Sequence, residues 1–134
     1  MILLDKAVTN NVSLTLTELT TISNPTYLFV FTNDTSNGEF ICIAADVSSY
    51  TYRANKFLMT FSATPNALLG QLSTSMMSGF YHYKVYAQTS PTNLDPTLAN
   101  EVVELGKMKI ADVTATSYTY EYNGNEAVVY PNFN

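Results

Sequence analysis

From Asn11 onward the chain alternates, with Val12, Leu14 and Leu16 on one side of an extended backbone and Ser13, Thr15 and Thr17 on the other. A period of two predicts a half-buried strand. MILL at the start suits a short first strand. Residues 26–33, TYLFVFTN, are apolar on both faces, Leu28 and Val30 against Tyr27, Phe29 and Phe31. Such a strand is expected in the middle of a sheet, covered on both sides. Asn37-Gly38 sits between two apolar runs and offers the positive φ angles of a tight hairpin, so residues 26–32 are expected to pair with 39–45. KFLMTFSA is a further strand, with Phe57, Met59 and Phe61 on one side, and GFYHYKVYAQT is a longer one. EVVELGKMKIADV is the last, with Val103, Leu105, Met108 and Ile110 expected inward and Gly106 marking a bulge where the alternation shifts.

TPNALLGQLSTSMMSG interrupts this series. Pro65 followed by Ala67, Leu68, Leu69 and Leu72 suits one or two helical turns near 65–77, closed near Gly79. The same residues suit a loop that carries a few core plugs. About seven strands with turn signals at short intervals predict an all-β domain, a β-sandwich. The strand order resembles an immunoglobulin-like or fibronectin-type arrangement. On that analogy residues 79–88 are the strand of the tyrosine corner, with Tyr81, Tyr83 and Val85 as its inward pattern. The likeness is architectural, for the chain has one cysteine and no tryptophan.

The domain is expected to span residues 1–113. The tail, 114–134, differs in kind: Tyr118, Tyr120, Tyr122, Tyr130 and Phe133 stand in short runs around Asn123-Gly124. It reads either as a closing hairpin on the same domain or as an arm whose aromatic face packs on a neighbouring subunit.

Composition narrows the function. Only 13% of the 134 residues are charged, against 46% hydrophobic, so solubility rests on Thr, Ser and Asn, as in proteins that are parts of larger assemblies. The net charge is −5, and the six basic residues are scattered, which argues against binding to nucleic acid or to an anionic membrane. MILLDKAVTN is too short and poorly flanked for a signal peptide, and the Met1 start suits an independent chain rather than an accessory domain of an enzyme. Production in a cytoplasm is the expectation. Cys42, inside FICIAA, reads as a small buried hydrophobe.

No spacing assembles a catalytic set. His82 points with Phe80, Lys84 and Tyr86 away from Tyr81, Tyr83 and Val85, and it reads as a surface histidine without a partner nucleophile or base. Glu101 and Glu104 are expected on opposite sides of their strand, and nothing selects Asp46, Asp95 or Glu104 as a glycosidase pair. Asn33, Thr35, Asn37 and Gly38 imitate a calcium loop, but Ala44 stands at its twelfth position, so a plain hairpin turn is expected. The chain is expected to be no enzyme and to hold no cofactor or metal. What remains is contact chemistry. Phe80, His82 and Tyr86 form one candidate stripe, Thr92 and Asn93 sit in the polar, proline-bearing loop 89–100, and the five tail aromatics form a third group. Tyrosine-rich faces also stack on sugars, which keeps a glycan-binding or adhesive module as an alternative.

TYLFVFTND, then GFYHYKVYAQTSPTNLD, then EVVELGKMKI resemble small virion proteins of tailed phages of the crAss-like and related groups that infect Bacteroidetes. The similarity covers residues 10–110, is most specific in the spacing GFYHYKVY…TNLD…VELGKM, and leaves the tail uncovered. It implies a small β-sandwich in the virion, a capsid auxiliary or decoration protein made in the host cytoplasm. A tail, neck or fibre component is the alternative. The implied partners are other virion proteins, the major capsid protein first, with self-association as a further option. The implied contact elements are the 89–100 loop, the 33–38 hairpin tip and the aromatic tail. The resemblance supplies no catalytic or ligand residue.

Overall fold

A computed structural model describes residues 1–49 and 54–111. The tail aromatics Tyr118, Tyr120, Tyr122, Tyr130 and Phe133, and the expected division at 113/114, lie outside the described residues. The described residues form an all-β structure of two sheets. In chain order the strands are β1 (Ile2–Leu4), β2 (Asn10–Leu14), β3 (Thr26–Asn33), β4 (Glu39–Ala44), β5 (Asn55–Ser62), β6 (Gln71–Ser73), β7 (Gly79–Gln88) and β8 (Glu101–Ile110). One sheet has the order β1-β8-β7-β3-β4 and the other β2-β5-β6. β1 lies parallel to β8, and β6 parallel to β5; the remaining neighbours are antiparallel.

The inner faces of both sheets close on one core. Tyr27, Phe29 and Phe31 of β3, Tyr81, Tyr83 and Val85 of β7, and Met108 and Ile110 of β8 meet Val12 of β2, Phe57 and Met59 of β5, and Leu72 of β6. Phe57 makes edge-to-face pairs with two rings of the opposite sheet, Tyr27 at 5.6 Å and Phe29 at 5.0 Å between centroids. β3 is flanked on both sides, by β7 and β4, and both of its faces are buried, as its double apolar pattern predicts. Tyr81 donates from its hydroxyl to the carbonyl of Met77, 2.8 Å away, fastening the start of β7 to the turn before it.

Four local readings need correction. β3 and β4 pair as expected, Thr32 opposite Glu39, but no two-residue turn joins them. Asn33 Oδ1 accepts from the amides of Thr35 and Ser36, and only Asn37 takes a positive φ there, so the loop is longer than an Asn-Gly hairpin requires. Residues 65–77 hold a single 3₁₀ turn, Ala67–Leu69, capped by the Asn66 side chain and closed by Gly70 at φ 69°, then the short β6. Leu72 is buried while Leu68 and Leu69 are exposed, because one 3₁₀ turn is too short to lay all four apolar residues on one face.

The other two corrections concern β8. The register slips between Val85 and Tyr86, which pair with Glu104 and Val102, so Val103 is the extra residue and the bulge lies there rather than at Gly106. The slip turns Val103 inward and Leu105 outward. It also sets Glu101 and Glu104 opposite Ala87 and Val85, both residues of the inner face, rather than on opposite sides. Gly106 answers a different need. A Cβ there would come within 2.6–2.8 Å of the end of the Tyr83 ring, which lies over the glycine and is itself held in the core.

Gly106→Ala is therefore expected to lower unfolding free energy by about 1–3 kcal/mol. Gly38→Ala, whose Cβ would meet only the Ser36 hydroxyl, is expected to lower it far less. Urea denaturation of the two variants against the parent chain checks both.

Candidate functional site

Strand pairing decides which side chains share the outer face of the five-stranded sheet. Residues directly opposite one another point to the same side. Ile43, Leu28, Tyr86 and Val102 form one row across β4, β3, β7 and β8; Ile41, Val30, Lys84 and Leu105 form the next. Glu39, Thr32, His82 and Lys107 make the third, and Phe80, Lys109 and Leu3 the fourth, ending on β1. The centre is apolar and buried at Leu28, Val30 and Ile43, none of which belongs to the core between the sheets. Its border is apolar and open: Phe80 and Val102 are 50% exposed, Leu105 66% and Leu3 67%.

The charged groups of this face are organised. Asp34, in the β3–β4 loop, accepts from His82 Nδ1 at 2.9 Å and pairs with the Lys107 ammonium. The hydrogen bond from Lys107, and then that from His82, hold the Asp34 carboxyl below the ordinary carboxylate range. Lys109 lies over the ring of Phe80, 5.3 Å from its centroid. Thus Phe80 and His82 stand on the outer face as expected, Tyr86 half-buried beside them. The structure adds Val102 and Leu105, the second of which the alternation of β8 from Val103 assigns to the wrong side.

Thr92 and Asn93 fare differently. Thr92 is exposed, but Asn93 is turned into its own loop. Its amide donates to Gln88 Oε1 and to the Asp95 carbonyl, each at 2.8 Å, and its oxygen accepts from the Asp95 amide at 3.0 Å. Buried Gln88 returns bonds from Nε2 to the carbonyls of Ser90 and Asn93. Asn93 therefore organises the 89–100 loop.

A polar cleft of about 910 Å³ opens at one end of the sandwich, between Thr17, Thr20, Asn24, Tyr27, Asp46 and Asn55. Several of its polar atoms hold one another. Asn55 Oδ1 accepts from the amides of Leu16 and Thr17, and its Nδ2 donates to Asp46 Oδ2 and Thr17 Oγ1. Partial burial opposes the charge of Asp46, but Ser48, Asn55 and the Lys56 amide outweigh it and lower its pKa.

Reactive groups are subdued. Burial pushes the Cys42 thiol up to about 12, which removes the thiolate that a nucleophile needs. Burial, then the neighbouring Glu104 charge, pushes Tyr83 up to about 12 as well. Among the described residues, no group of three His, Cys, Asp or Glu side chains stands where it could hold a metal ion. Comparison of the chain with protein-family models, with curated proteins and with solved structures finds no significant match.

Two outcomes are expected. Asn93→Ala leaves Oε1 of the buried Gln88 without its donor and should lower stability by about 1–3 kcal/mol, read by chemical denaturation. Because the Asp34 pKa is depressed on folding, its stabilising effect is present above the unfolded carboxylate pKa and is lost as pH falls through the folded one. The Tm difference between the parent and Asp34→Asn should therefore be present at neutral pH and vanish in acid below that folded pKa.

Proposed function

We propose that this protein is a structural component of a tailed-phage virion, a capsid auxiliary or decoration protein that docks on the shell through the outer face of its five-stranded sheet. The observation that carries this is the open apolar border of Phe80, Val102 and Leu105 around a buried aliphatic centre, on a rigid sheet. Exposed apolar side chains gathered on one sheet face suit an interaction site. The resemblance of residues 10–110 to crAss-like virion proteins supplies the kind of partner, the major capsid protein first. Each docked copy would stabilise the shell by mass action rather than by chemistry. A neck, tail or fibre position is the runner-up, because the same face serves any protein partner.

The sandwich itself is proposed to be immunoglobulin-like, of the fibronectin type. In support, β1 runs parallel beside the last strand β8, β7 and β8 form the central hairpin with β3 and β4 beyond, and β2 pairs with β5 in the facing sheet. The bond from Tyr81 to the Met77 carbonyl, four residues upstream, has the form of a tyrosine corner. Shape rather than covalent bridging would then hold the fold, since Cys42 has no second cysteine to join.

The test is the copy number of the chain per purified particle, by quantitative mass spectrometry. A ratio within a few-fold of the major capsid protein is expected. A number in the range of neck or tail proteins moves the docking site off the shell, and absence from particles overturns the virion reading and favours glycan-binding assays. With particles in hand, Leu105→Glu should weaken rebinding at least tenfold, the effect of about 1.4 kcal/mol, without unfolding the domain.

A further inference from the structure

We propose that in the free protein the outer face of the five-stranded sheet is covered by the chain's own C-terminal segment, residues 112–134. Among the described residues, no strand of the facing sheet packs over this face, because β2, β5 and β6 lie against the inner one. The face nonetheless has an apolar centre and an open apolar border, which favours an occupant. The described chain ends at its corner: β8 carries Leu105, Lys107 and Lys109 outward, and the Ala111 amide then donates to the Leu4 carbonyl at 2.8 Å.

The segment beyond that corner suits the face in three ways. Its length, 134 − 111 = 23 residues, reaches about 75 Å when extended, while a ten-residue strand spans only about 33 Å. It can therefore cross the face and return. Tyr118, Tyr120 and Tyr122 alternate, so an extended backbone puts all three rings on one side. Its charges suit the cationic side of the face: Asp112, Glu121 and Glu126 with no Lys or Arg, against Lys84, Lys107 and Lys109 on β7 and β8, with Asp34 and Glu39 toward β4; among the described residues Lys107 is ion-paired, with Asp34. Tethering favours the same chain over a second copy, because the linker to the face is short and the local concentration correspondingly high. The inference concerns the free protein and stands apart from the shell reading.

The chain has no tryptophan, so Tyr120→Trp in the full-length protein gives a single reporter. The expected result is a blue-shifted emission and acrylamide quenching several-fold weaker than in the unfolded chain, both independent of protein concentration. Leu105→Glu and, separately, Lys84→Glu should each raise the quenching several-fold. Both positions are solvent-exposed, and continued protection of Cys42 from thiol reagents verifies that the sandwich stays folded. A reporter open to solvent in the full chain overturns the proposal. So does one protected but indifferent to both variants, which places the segment elsewhere. Protection that appears only at high concentration assigns the face to a second copy and overturns it too. None of these readings involves particles, so loss of the shell hypothesis leaves them unchanged.

Discussion

Phe57 joins the two sheets, its ring set nearly at right angles to Tyr27 and to Phe29, with interplanar angles of 83° and 76°. Edge-to-face pairs of this kind contribute about 0.5–1.5 kcal/mol each beyond the burial of the rings. More depends on them than that sum. β5 carries the three-stranded sheet, pairing with β2 on one side and β6 on the other, so its seat on β3 sets where the whole second layer lies. With the inner face of the larger sheet consumed in this contact, only its outer face is left for any partner.

Buried amides finish what the aromatic core begins. Asn10, Asn33, Asn55 and Gln88 are the buried polar side chains among the described residues, and each one ties down a connection. Asn10 donates to the carbonyls of Asp5, Val8 and Met59, closing the β1–β2 loop onto β5. Asn33 forms the β3–β4 loop, Asn55 holds the segment after β2 to the cleft, and Gln88 grips the 89–100 loop through Asn93. A buried amide is tolerated only when its hydrogen bonds are made, so each of these sites specifies one loop conformation. The connections at the ends of the sandwich are thereby tied to the strands they join.

The outer face of the five-stranded sheet owes its character to one irregularity. Had β8 kept its alternation from Val103, Leu105, Lys107 and Lys109 would have faced the core, and Met108 and Ile110 would have stood on the open face. The extra residue at Val103 inverts the remainder of the strand instead, so Leu105, Lys107 and Lys109 come out beside Phe80 and His82, while Met108 and Ile110 go in. The cost of a disrupted ladder is accepted at a position next to the strand's start, where bulges commonly re-aim side chains.

Strand identity was legible wherever burial on one face forces a period of two. β2, β3, β5 and β7 were readable for this reason, as was the division of β7 into a core side with Tyr81, Tyr83 and Val85 and an open side with Phe80, His82 and Tyr86. The β3–β4 pairing was legible too, from two apolar runs around one turn. Other features depended on contacts between residues far apart in the chain. Nothing local distinguishes Asn93, which clamps a loop, from Thr92 beside it, which is exposed; the difference lies in the buried Gln88 that faces only one of them. Gly106 looks like a bulge until the Tyr83 ring is laid over it. Local alternation thus determined the strands and most of their faces. Which residues of β8 look outward, which amides lie inside, and where the second sheet sits were decided by tertiary packing, because register and ring placement are set by partners that the local pattern does not contain.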